Sequence, residues 1–175
     1  MSFENWPKKL LQRVGTCGIR VINCGEKWVT VVIMFHGEYP YSIDLKGRVP
    51  VPPRFREELK EGVVLSQGID KCITVYPVSE WEKIAAKLAA LSITQLNSRR
   101  LKRRTSSRTY SLSLDGQGRV MVPPLLREYI GIKNEVTIVG NINCLEIWAR
   151  DAWEAEKAVT DEQFVEIAET VKMPE

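Results

Sequence analysis

Apolar and polar residues alternate over short stretches of this chain, and glycine and proline break the alternation at regular intervals. Period-two stretches rich in β-branched residues predict strands, and the breaks predict turns. The stretches YSID and SLSL each run into an aspartate, Asp44 and Asp115. A tight turn follows, with Gly47 or Gly118 supplying positive φ, and then a strand, RVPV or RVMV. Pro52-Pro53 and Pro123-Pro124 end these strands and open short helices, because proline suits a first helical turn but not a ladder. Leu59 and Ile130 close those helices, and Gly62 and Gly131 act as stops. Two more strands come next, GVVL with CITVY and EVTIVG with CLEIW. A helix ends each series. Ser79 with Glu82 and Asp151 with Glu154 match a capping box, and Trp81, Ile84, Ala85 and Leu88 line one helical face.

The two series are one unit written twice. DLKGRVPVPPRFRE (44–57) and DGQGRVMVPPLLRE (115–128) agree at nine of fourteen positions at an offset of 71. CITVYPVSEWE (72–82) and CLEIWARDAWE (144–154) continue the match at an offset of 72. A unit of about 50 residues and four short strands buries its own apolar faces poorly, so two units are expected to pack on each other. The expectation is an α+β, mainly β fold: two tandem units share a barrel-like sheet about a pseudo-twofold axis, with short helices at the periphery. The segments TVYP and LEIW read either as core strands or as an edge between chains. The division is an N-terminal extension at 1–33, units at 34–82 and 110–154, a helical and basic linker at 83–109, and a C-terminal helix or tail at 155–175.

Charge adds a local feature. The formal net charge is +3, and from residue 34 onward 20 basic residues meet 20 acidic ones. Residues 97–114, however, hold six basic residues, Arg99, Arg100, Lys102, Arg103, Arg104 and Arg108, and no acidic one. Such a cluster reads as a solvated face or as a linker following a DNA backbone. Cys17, Cys24, Cys72 and Cys144 show no CxxC spacing, which gives no support to a zinc ribbon or a disulfide framework and suits reduced thiols in the cytoplasm. No apolar run reaches membrane-spanning length, and the start MSFENWPKKLLQRVG lacks a signal-peptide core, so secretion is not expected.

From Met34 to about Trp153, some two thirds of the chain, the sequence resembles the MraZ family of bacterial transcriptional regulators. The two Asp-x-x-Gly-Arg-Val-x-Val-Pro blocks, the Gly-x-x-x-Cys-x-x-Val-Tyr-Pro-x-x-x-Trp segment between them and the Glu-Ile-Trp ending carry the resemblance. It implies two SpoVT-AbrB-type domains with a swapped-hairpin fold, and a homo-oligomer in the form of a ring. It also implies a cytoplasmic, nucleoid-associated protein that binds promoter direct repeats in double-stranded DNA upstream of its own gene, at the head of the division and cell-wall gene cluster. Two departures stand out. RRTSSRTYSLSL puts Arg104, Thr105 and Ser106 where the family has bulky apolar residues, and residues 1–33 precede the position where relatives begin. Those 33 residues read as translated upstream DNA with Met34 as the start: with one choice of codons CGEKWV (24–29) can be back-translated to two GTGGG boxes one DNA turn apart, as the family's operator is expected to look. The alternative is a genuine strand, since WVTVVIMF has strong β propensity.

DNA recognition needs phosphate neutralisation and hydrogen bonds to base edges, and arginine serves both. Arg48 and Arg119 directly follow the turn glycines, and a basic residue beside an exposed turn has little packing reason to recur. By resemblance, Lys46 and Arg48 are the leading DNA contacts of the first unit; the second has Gln117 in place of the lysine. Arg54, Arg56 and Arg127 follow the Pro-Pro pairs and either extend the basic face or pair with carboxylates, since Arg56-Glu57 and Arg127-Glu128 recur together. Asp44 and Asp115 read as turn formers. Catalysis is not expected: His36 is the one histidine and has no nucleophile motif around it, and DGQGRV lacks a dinucleotide fingerprint. No catalytic, cofactor-binding or metal-binding residue is assigned. The rival reading is an AbrB-like protein-interaction or antitoxin-type module, with TDEQFVEIAETVKMPE as a partner helix.

Overall fold

The computed structural model describes residues 34–171 and, before them, strands β1 (Leu11–Gln12), β2 (Ile19–Cys24) and β3 (Lys27–Val32). These three pair antiparallel in a sheet of their own. Part of WVTVVIMF is therefore strand; the reading of 1–33 as an extension otherwise lies outside the described residues.

Eight further strands follow: β4 (Glu38–Ser42), β5 (Arg48–Pro50), β6 (Val63–Gln67), β7 (Ile73–Pro77), β8 (Thr109–Leu112), β9 (Arg119–Met121), β10 (Glu135–Asn141) and β11 (Cys144–Ala149). Six of them form one antiparallel sheet in the order β4-β10-β11-β7-β6-β8, and β5 pairs with β9 alone. Exchanging each first-unit strand for its second-unit counterpart gives the same order read from the opposite edge. The units are interlocked: β4 of the first unit lies on β10 of the second, and β8 of the second lies on β6 of the first. The expected barrel does not close, because β4 and β8 are opposite ends of the sheet. TVYP and LEIW are core strands, since β7 and β11 pair with each other at the sheet centre.

One apolar cluster underlies both units. Val49, Val51, Phe55, Leu59, Ile73 and Val75 from the first meet their repeat counterparts Val120, Val122, Leu126, Ile130, Leu145 and Ile147 from the second. Each is at most 2% exposed, and burying such a side chain contributes about 1.5–3 kcal/mol. The repeat thus fixes one shared core rather than two small ones.

The helices are where the copies diverge. After the Pro-Pro pair the first unit makes only a short 3-10 turn at Pro53–Phe55, whereas the second makes helix α3 (Pro124–Ile130), closed by Gly131 in the left-handed region at φ 68°. After β7 comes α1 (Val78–Ala90), then α2 (Leu96–Ser107) carrying the basic cluster; after β11 comes the single long α4 (Arg150–Thr170). The predicted capping boxes are not formed. The helices begin two residues earlier than the patterns imply, after Pro77 and Ala149, neither of which offers a capping side chain. Among the described residues no helix is long and apolar enough to cross a membrane.

Candidate nucleic-acid interface

The two Asp-to-Arg turns are built identically. In each, the glycine N–H donates to the aspartate carbonyl, Gly47 to Asp44 and Gly118 to Asp115, both at 2.8 Å. Asp44 Oδ1 accepts the backbone N–H of Lys46 and Arg48, and Asp115 Oδ1 that of Gln117 and Arg119, at 2.9–3.0 Å. The aspartates are therefore turn formers, and glycine fits because φ is +80° at Gly47 and +74° at Gly118.

The β5–β9 ladder sets the turns side by side, with Val49 opposite Val120 at its centre. Each turn is also tied to the other unit's strand: Val51 N–H donates to Gly118 O at 2.9 Å, and Val122 N–H to Gly47 O at 2.8 Å. Four charges meet between them. Arg48 Nε lies 2.7 Å from Asp44 Oδ2 and Arg119 Nη2 lies 2.8 Å from Asp115 Oδ2. Two longer cross-pairs at 3.6 Å, Arg48 with Asp115 and Arg119 with Asp44, close the quartet. The side chain and backbone N–H of Arg119 hold the Asp115 carboxyl down at about 2, and Asp44 is lowered as well, chiefly by the backbone N–H of Arg48.

Arg56 and Arg127 brace the same turns from below, each across the unit boundary. A β-carbon built on Gly118 would lie 2.3 Å from Arg56 Nε, and one on Gly47 would lie 2.9 Å from Arg127 Cζ. Arg56 Nε donates to Val51 O at 2.9 Å, while Arg127 Nε is buried with no hydrogen-bond partner among the described residues. Arg54 stands apart. Its guanidinium donates to Tyr39 Oη at 3.2 Å and to His36 Nε2 at 2.8 Å, and lies over the Phe55 ring. Arginine only donates, so His36 Nε2 accepts, and its Nδ1 carries the proton donated to Met34 O.

Of the six residues singled out from sequence, five converge on the paired turns: Lys46, Arg48 and Arg119 in the turns, Arg56 and Arg127 beneath them. Leu45, Lys46, Gly116 and Gln117 are exposed at the tips. The quartet and the arginine braces were not anticipated. Their signals were present, however, in the Asp-x-x-x-Arg spacing and in an arginine recurring nine residues after each turn glycine. Such a face can bind an anionic polymer but has no nucleophile or metal ligand set, and among the described residues no cluster suited to a metal occurs. Burial pushes the Cys144 thiol up to about 12 and raises Cys72 too, so neither offers a reactive thiolate at neutral pH.

The profile described as "MraZ protein, putative antitoxin-like" matches residues 34–104 and again 106–172. A protein named transcriptional regulator MraZ from Dehalococcoides mccartyi is 41% identical over 140 residues, 79% of this chain and 99% of its own length. Proteins of the same name from Thermoanaerobacter sp. and Lactobacillus delbrueckii subsp. bulgaricus are each 41% identical over 136 residues, 78% of this chain and 95% of theirs. With two profile matches that coincide with the two structural repeats, and relatives aligned over nearly their whole length, the chain belongs to the MraZ family.

Proposed function

We propose that this protein is a DNA-binding transcriptional regulator, acting in the cytoplasm on the nucleoid as a ring of identical subunits. Its target is a set of direct repeats upstream of its own gene, at the head of the division and cell-wall gene cluster. The exchanged strands are read as the swapped-hairpin arrangement of SpoVT-AbrB-type domains. The observation that carries the reading is the pair of adjacent, exposed turns, each with an arginine and together with one lysine at the tip. Lys46, Arg48 and Arg119 meet the DNA, Arg54 extends the face, and Arg56 and Arg127 hold the turns in place. Each base-reading pair supplies only about 1–3 kcal/mol, so several subunits on repeated boxes are needed for tight binding.

The test is binding of the full chain to a duplex of its own upstream region and to a scrambled duplex over a salt series. Native-duplex affinity is expected to exceed the control and to fall with salt. Lys46→Ala is expected to lower the slope of log K against log salt by about one, because its exposed side chain can be removed without touching the quartet. Arg48→Ala is expected to abolish specific binding, with melting followed in parallel because this change also breaks the quartet. Equal, weak binding to both duplexes would replace this reading with an antitoxin-type interaction module, for which the exposed α4 would be the partner helix.

A further inference from the structure

The paired turns match each other everywhere except at their tips. Arg48 and Arg119, and Asp44 and Asp115, are exchanged by the same pseudo-twofold relation that sets Val49 opposite Val120, so the quartet straddles the axis. The backbone obeys it too. The aspartate, glycine and cross-turn hydrogen bonds of one turn recur in the other at the same 2.8–3.0 Å. A two-fold head laid on the dyad of a duplex meets both strands alike, and the box it selects equals its own reverse complement. Arg48 and Arg119 alone would therefore read DNA without direction.

The tips break the symmetry. The first turn carries Leu45 and Lys46 where the second carries Gly116 and Gln117, and all four are exposed. Leu45 is fully exposed and has no place in the apolar core. Nothing in the fold requires the difference. A β-carbon on Gly116 meets no atom within 4 Å, and Gly116 lacks the positive φ of Gly47 and Gly118, so its backbone accepts a side chain. One tip thus presents an apolar side chain and a cation, and the other presents neither. Arg54, whose counterpart in the repeat is Leu125, is a second difference, but its guanidinium is already held by Tyr39 and His36.

We propose that Leu45 and Lys46 give the paired turns a direction on DNA. Lys46 anchors its half of the box through a phosphate, and Leu45 reads a base edge there that the second tip leaves unread. The group on a major-groove edge that rewards an apolar side chain is the thymine methyl. The selected box is then asymmetric, with a thymine in the half under Leu45. This rests on the DNA-binding reading above and names the residues that set its specificity.

The test is selection of bound duplexes from a random-sequence library by the full chain. Wild type is compared with two variants that restore the symmetry, Gly116→Leu with Gln117→Lys, and Leu45→Gly with Lys46→Gln. All four positions lie outside the quartet and its arginine braces. Wild type is expected to enrich a box that differs from its reverse complement, and both variants a palindromic one. The first variant should require thymine in both halves, and the second should show no thymine requirement. The slope of log K against log salt should steepen by about one in the first and lessen by about one in the second. Uracil in place of thymine deletes the methyl from the wild-type box; it should weaken wild type severalfold and leave the Leu45→Gly, Lys46→Gln variant unchanged. A variant that still enriches the asymmetric box overturns the proposal, because direction then comes from elsewhere on the chain. A palindromic wild-type box, or equal wild-type affinity for thymine and uracil, overturns it as well, and in each of these cases DNA binding stands. If wild type enriches no sequence at all, the DNA-binding reading fails and the proposal falls with it.

Discussion

Gly118 and Gly131 share a left-handed backbone, at φ +74° and +68°, but not a neighbourhood. A β-carbon on Gly131 meets nothing within 4 Å, while one on Gly118 runs into the Arg56 side chain at 2.3 Å. Gly131→Ala should therefore cost only the left-handed penalty, about 1–2 kcal/mol. Gly118→Ala adds displacement of the arginine brace and should cost about 2–4 kcal/mol. Urea unfolding of the two variants separates them; equal losses would mean that Arg56 moves aside freely and braces nothing. The same pair shows what sequence alone conceals at this scale. The glycines were recognisable as turn and stop signals from local pattern, but the brace on Gly118 comes from a residue 62 positions earlier in the other unit. The recurrence of Arg-Glu in both copies drew attention to Arg56 and Arg127, and the glycine turns they cross were invisible in it.

Between the two turns, the quartet makes stability depend on acid in a defined window. Asp115 is held down at about 2 from its ordinary 3.8, and Asp44 is lowered too. A carboxylate with a depressed folded-state pKa contributes stability that is complete above its unfolded value and lost as pH falls through the folded one. The turn contact should therefore weaken between about pH 4 and pH 2. Asp115→Asn is expected to melt below wild type at neutral pH, with the gap narrowing across that window. Melting temperatures at about pH 6 and about pH 2 check it, and a gap independent of pH would show that the quartet adds nothing through charge. The elements themselves were readable because strand, turn and Pro-Pro signals are local. Their partners were not: alternation of apolar residues in YSID states that one face is buried, and nothing in it states that β10, almost a hundred residues on, is the strand alongside. The capping boxes failed for a similar reason, since the chain turns into α1 and α4 directly from the sheet and starts the helix before the capping residues arrive.

Over the whole molecule, the strand order that reads the same from either end implies that neither unit is a folding unit by itself. In a fragment of residues 34–107, β4 would lose β10, its one neighbour in the sheet, and β5 would lose β9. Val49, Val51, Phe55 and Leu59 would lose the second-unit residues that complete their cluster. Truncating even one such side chain costs about 2–5 kcal/mol, and a domain has only about 5–15 kcal/mol in total. A folded monomer of this fragment is therefore not expected. A dimer is, because the first unit carries every group the exchange requires: Asp44 and Arg48 for the quartet, Gly47 for the turn and Arg56 for the brace all have second-unit equivalents at the same offset. Two first units can thus stand in for a first and a second. Circular dichroism and mass measured together over a dilution series decide the matter. Structure that is lost on dilution as the dimer dissociates fits the interlocked core, whereas a monomer that keeps its sheet would mean that each unit closes on itself and that the exchange of strands is incidental to the fold.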